Sequence, residues 1–469
     1  MLEDLWRNAL TRLRRGARFG VASIAAALLS FFTIAYLARH EAHLVQLCIA
    51  GFLIALSLVR ADESRADRIE TVPAWVTWAA RFALIPVVAL LGSLLVRVSS
   101  ASPALALALI SIPLVAAVWV RRFGDTWTRV GTLWSFPFVA ALVTPVAAAG
   151  QGAGDVWWGA LAALIAVAWA SLIGWLARGA TPASVLAPAP APAAPAPAPS
   201  PGARRLAASD RMALHLAVAL AAAILVGWWL LPDHLVWFVL TAYVVTSGNR
   251  GRADVVYKGV LRVVGAAIGT VVATALGLLF DPGDSDALAV MFLLLGIGAI
   301  LRALSYAWWA AAMTGALALL YGYLGQGAGF LGERLVAILV GGAIAIAASA
   351  FIAPVRSIDV LRRRTADLLA VAREVLTADR KAPGYAELPH RVRDAAARIE
   401  QLAPPLHALR AVTLGRVAPA RAAADLLDAA LALREPLLEF AAAPSRERGA
   451  ALRQQVGAVR ESLLAWRRE

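Results

Sequence analysis

Twelve uninterrupted apolar blocks constrain this chain more than any other feature. They run at about 19–38, 44–59, 74–96, 104–120, 130–149 and 156–177, and after a break at 212–231, 235–247, 259–280, 287–301, 305–324 and 335–353. Most have the length that crosses a hydrocarbon layer about 30 Å thick, and none alternates in the manner of a strand. An all-α, polytopic transmembrane bundle is therefore expected. With 61% of residues hydrophobic and only 16% charged, the 469-residue chain is far from soluble composition. The single cysteine, Cys48, rules out a disulfide within one chain and a cysteine-based metal site. Arginine almost replaces lysine and alanine is abundant, which reads as a GC-rich bacterial source and an inner-membrane location. Met1 to Arg18 is basic, but no cleavage site follows the first apolar block, so a removable leader is not expected.

The arginines orient the blocks, because cytoplasmic flanks retain positive residues. One set of flanks holds Arg7, Arg12, Arg14, Arg15 and Arg18, then Arg60, Arg65 and Arg68, then Arg121, Arg122 and Arg129, then Arg178, Arg204, Arg205 and Arg211. Arg250, Arg252, Lys258, Arg302 and Arg356 continue the set. The other flanks hold only Arg39, Arg97 and Arg334 beside seven acids, Glu333 among them. Both termini are expected in the cytoplasm.

The blocks fall into two groups of six. His43-Leu44-Val45 opens the second block and His234-Leu235-Val236 the eighth; Gly150–Gly154 and Gly325–Gly329 share the sequence GQGAG. Arg81 and Arg262, and likewise Arg121 and Arg302, lie 181 residues apart. Six is an even number, so the copies share one orientation and form parallel repeats about an axis along the membrane normal. The expected domains are a first repeat (1–180), an Ala/Pro-rich cytoplasmic linker (181–210), a second repeat (211–355) and a cytoplasmic helical domain (356–469). Residues 187–201 are almost pure Ala-Pro and read as an extended polyproline tether. Beyond Arg356, apolar residues recur at helical spacing (Leu361, Leu368, Leu369, Ala372; Val392, Ala396, Ile399, Leu402), which predicts about four amphipathic helices in a bundle.

No HExxH, CxxC, GxSxG or Walker motif is present, and the six histidines lack metal-ligand spacing. Neither catalytic activity nor a metal nor any other cofactor is expected. The chemistry-bearing stretch is instead Ser247–Gly277. Arg250 and Arg252 lie in a polar turn, Lys258 and Arg262 follow at a spacing of four, and Gly265, Gly269, Ala273 and Gly277 then share a ridge. A cation inside a span either snorkels to the headgroups or marks a pathway, and guanidinium groups hold carboxylates with paired donors. Small residues on one ridge suit close helix packing. The eighth block is short, as is the second, and short segments at matching positions of a duplicated transporter point to its site. Arg252, Lys258, Arg262, Arg81, Ser247, Asn249 and Tyr243 are thus the candidate substrate-binding residues. Trp308, Trp309 and Tyr306 suit an interfacial belt or a stacking surface, and His215 a packed or interfacial role. No acid falls mid-block, which argues against proton coupling and in favour of a passive anion channel. A membrane scaffold that recruits partners through its C-terminal helices is a further alternative.

The run of a short span, an Arg-rich turn and K-x3-R-x2-G-x3-GT (Lys258, Arg262, Gly265, Gly269, Thr270) resembles the fusaric acid resistance-like family, also called the aromatic acid exporters. The resemblance covers roughly 212–355. The first half keeps Arg81 but not the glycines, and Pro86 intrudes there. It implies efflux of aromatic carboxylic acids and similar toxic compounds, often with a periplasmic adaptor, and maps Arg252, Lys258 and Arg262 onto the family's basic stretch. The plant malate channels, similar in their membrane half, carry anions passively. The expected partners are an organic anion, the lipid bilayer, that adaptor and further copies of the chain in a homo-oligomer; no nucleic acid is expected.

Overall fold

The computed structural model describes residues 2–41, 44–63, 74–98, 102–143, 153–178, 206–323, 330–379 and 384–465. The Ala-Pro tether and the second GQGAG segment lie outside these residues, as do His43 and most of the first GQGAG segment. Among the described residues the regular structure is entirely helical. Two compact units are present, one built from the apolar helices, the other from Gly248–Tyr257 and Pro354–Glu469.

Each of the twelve apolar blocks becomes one helix: α1 (Leu2–Leu37), α2 (Leu44–Glu63), α3 (Ala74–Val98), α4 (Pro103–Trp119), α5 (Asp125–Val143), α6 (Ala153–Arg178), α7 (Ala208–Leu230), α8 (Leu235–Thr246), α9 (Arg252–Gly277), α10 (Ser285–Leu301), α11 (Tyr306–Tyr323) and α12 (Phe330–Phe351). Among the described residues, eight of these twelve helices are long and apolar enough to cross a membrane: α1–α3, α4 with the 3₁₀ turn Val120–Phe123 that continues it, α6, α7, α9 and α12. With 12 residues, α8 reaches only about 18 Å at 1.5 Å per residue. Its shortness agrees with the sequence reading, but α2 departs from it. That helix runs on through Arg60 and Asp62, because both side chains find partners on other helices (Trp309 and Arg81).

Only part of each spanning helix is buried inside the protein, as little as 28% of the positions sampled in Thr77–Leu95. Large apolar side chains such as Val271, Leu225 and Trp229 point outward. A patch of that extent would make a soluble protein aggregate, whereas it suits a bilayer. Inside, one apolar core joins both groups of helices. The pairs that build it recur: α1 on α2 and α7 on α8, α2 on α6 and α8 on α12, α1 on α6 and α7 on α12, α4 on α5 and α10 on α11. Between the groups, α4 meets α7 and α1 meets α10.

Among the described residues the second unit has six α-helices of its own rather than about four: α13 (Ser357–Thr377), α14 (Leu388–Glu400), α15 (Ala403–Val412), α16 (Ala418–Ala432), α17 (Arg434–Ala442) and α18 (Arg446–Ala465). The extra breaks come where Pro404-Pro405 at the start of α15 and Gly415 in a left-handed conformation interrupt the run. Of the periodic residues singled out above, all but the half-buried Leu369 are buried. Burial and the neighbouring charges of Arg250 and Arg398 push the Arg364 guanidinium of this unit down to about 10.

Candidate functional site

Glycine sets the geometry of the candidate site. A methyl group at Gly265 would overlap the Ala307 carbonyl oxygen and one at Gly269 the Ala311 carbonyl oxygen. The ridge on α9 therefore lies directly against the backbone of α11, as expected of small residues at a helix crossing. Gly277 has nothing within 4 Å and takes no part. Arg262 sits one turn before Gly265 and seven residues before Gly269, on the same stripe of α9, and this close approach buries it to 4% exposure. It does not snorkel. Its Nε has no hydrogen-bond partner among the described residues.

Arg81, its proposed counterpart, has a different environment. On α3 it is 3% exposed and grips Asp62 of α2 with both Nη atoms, Nη1 donating to Oδ2 at 3.0 Å and Nη2 to Oδ1. Asp62 is itself buried, and the backbone of α6 passes close by at Gly174. A paired guanidinium has its charge balanced by the protein. The sequence reading missed Asp62 because it lies three residues beyond an apolar block; the corrected picture includes a buried carboxylate at the end of a span.

Arg252 and Asn249 belong to the second unit, where the Arg252 amide donates to the Val355 carbonyl at 3.0 Å and the Ala253 amide to the Ser357 hydroxyl at 2.9 Å. The Arg252 side chain is exposed. Ser247 and Lys258 are half-buried in the first unit. Tyr243 is buried on α8, but its hydroxyl shares a hydrogen bond with Ser135 of α5 and lies in the field of Arg121, in the 3₁₀ turn Val120–Phe123. Trp308 and Trp309 separate: Trp308 is 43% exposed, whereas Trp309 is buried with Arg60 over its ring at 3.5 Å. The His215 ring is buried and hydrogen-bonds the Ala353 carbonyl at 3.0 Å, which accords with a packed role.

Arg334 is what the sequence reading misplaced. Read as a flanking residue, it is instead 3% exposed on α12. Its Nη1 donates to the Thr314 carbonyl of α11 at 3.3 Å, and its guanidinium lies over the Trp237 ring of α8 at 4.1 Å. Trp237 in turn meets the Tyr321 ring edge-on at 5.9 Å. Arg262 and Arg334 act on each other electrostatically. The neighbouring Glu333 turns elsewhere, to His234 at 3.1 Å.

These helices, their outward apolar surface and their buried cations define a multi-pass, transporter-like membrane protein. Residues 220–348 match a family model described as fusaric acid resistance protein-like, within the region where the sequence resemblance was found. That segment includes Trp237, Arg262, Thr314 and Arg334. No curated protein and no solved structure matches the chain.

Proposed function

We propose that this chain exports organic anions, aromatic carboxylic acids among them, across an inner membrane, with both termini in the cytoplasm. The observation that carries this reading is Arg262, a buried cation in the fusaric acid resistance-like segment with no carboxylate partner among the described residues. An unbalanced guanidinium inside a membrane bundle is costly and is retained where an anion must pass or bind. The recurring helix pairs support two parallel repeats, whose exchange would interconvert the α4–α7 and α1–α10 contacts. An adaptor across the periplasm and assembly of several copies remain part of this proposal.

In proteoliposomes the protein is expected to move benzoate, and Arg262→Ala to lower the initial rate about 10- to 100-fold, the equivalent of one lost charge-assisted hydrogen bond. Unchanged flux from the variant would remove Arg262 from the path. Steady current with no proton gradient would decide for a channel.

A further inference from the structure

Arg334 presents an unusual combination of anchored and unpartnered atoms. One edge of its guanidinium is fixed, because Nη1 bonds Thr314, and one face is fixed by Trp237. The opposite edge, Nε and Nη2, is buried and has no hydrogen-bond partner among the described residues. Those two N–H groups form the side-on fork that matches a carboxylate. The Nε of Arg262 and the hydroxyls of Thr241 and Thr314 are likewise buried without partners among the described residues. Thr241 belongs to α8, which packs on α12, and Thr314 lies against Gly269 of α9.

The charge balance points the same way. Helices α8, α9, α11 and α12 carry two acidic residues, Asp254 and Glu333. Asp254 accepts from the Arg250 amide at 3.1 Å, about 12 Å along α9 from Arg262 at 1.5 Å per residue, and Glu333 pairs with His234. Two buried positive charges thus act on each other, and among the described residues no acid of these four helices is paired to either. A single negative charge would leave one cation uncompensated in a low-dielectric interior, where an unbalanced charge is unfavourable.

We propose that Arg262 and Arg334 form one anion site between α8, α9, α11 and α12, and that its ligand is an organic dianion with one carboxylate seated side-on in the Nε/Nη2 fork of Arg334. The inference rests on the reading of the chain as an organic-anion transporter and adds the site's composition and its charge selectivity.

The test is binding to purified protein in lipid nanodiscs, followed by thermal stabilisation and tryptophan fluorescence. The probes are isophthalate (two charges), benzoate (one) and benzamide (none). Isophthalate should saturate at a concentration at least tenfold below benzoate, with no response to benzamide. Arg334→Lys keeps the charge but loses the fork, and should weaken isophthalate at least tenfold. Arg334→Gln should abolish the preference for the dianion while the ligand-free protein melts no lower than wild type, since an unbalanced cation has been removed. Equal affinity for isophthalate and benzoate would overturn the dianion assignment, and unchanged binding to Arg334→Lys would overturn the site. Binding without any flux in proteoliposomes would leave this site standing and remove the transport reading. Flux that needs Arg262 while isophthalate binding ignores Arg334 would do the reverse.

Discussion

Asp62→Asn is expected to destabilise the protein by about 3–5 kcal/mol, the cost of leaving one member of a buried ion pair without its partner. Arg81 is held by two hydrogen bonds to that carboxylate and is 3% exposed. The neutral amide keeps the shape but removes the charge. Arginine cannot relieve the imbalance by giving up its proton, so the full penalty remains. Arg81→Met should cost less, because an isolated aspartate can take up a proton and become neutral. The double variant Asp62→Asn/Arg81→Met should recover most of the loss, since replacing both members of a buried pair is often near neutral. Melting of the purified protein in detergent, monitored by size-exclusion chromatography, gives all three values and the coupling between the two positions. If Asp62→Asn melts with wild type, the pair does not hold α2 to α3.

The contrast between Arg81 and Arg262 also marks how far the sequence could be read. Both were visible as cations one to two turns inside an apolar block. What separates them is the partner, and a partner is a fact of packing between helices remote in sequence. Asp62 lies 19 residues from Arg81, just outside the block that hydropathy delimits, so it reads as loop chemistry until α2 is seen to continue. Arg334 failed for a related reason. Next to Glu333 at the start of an apolar block it resembles an ordinary flank, yet adjacent residues on a helix do not share a face. Glu333 turns to His234 and Arg334 turns inward. The twelve helices and the C-terminal core residues were legible because they rest on period and length. Tyr243 was not, because a residue on α8 can face either group of helices, and only packing directs it to Ser135.

Gly269→Val should be as damaging as loss of the ion pair. Even the first added carbon would overlap the Ala311 carbonyl oxygen and come within 2.8 Å of the Thr314 Cβ. A side chain in the way can rotate; a backbone carbonyl within α11 can move only with its helix. Overpacking costs about 1–3 kcal/mol and occasionally more, and a branched residue against backbone belongs at the upper end, about 3 kcal/mol. Gly296 provides the control, since it lies inside α10 with nothing within 4 Å of an added methyl. There the better helix propensity of alanine should dominate, and Gly296→Ala should stabilise by up to about 1 kcal/mol. Gly269→Ala gains the same propensity and should nonetheless destabilise. Thermal unfolding of the variants tests the sign as well as the size; stabilisation by Gly269→Ala would mean that α9 does not lie against α11. The same crossing places Gly269 beside Thr314, whose carbonyl orients Arg334. Any Gly269 variant that still folds should therefore weaken isophthalate binding, while Gly296→Ala leaves it unchanged.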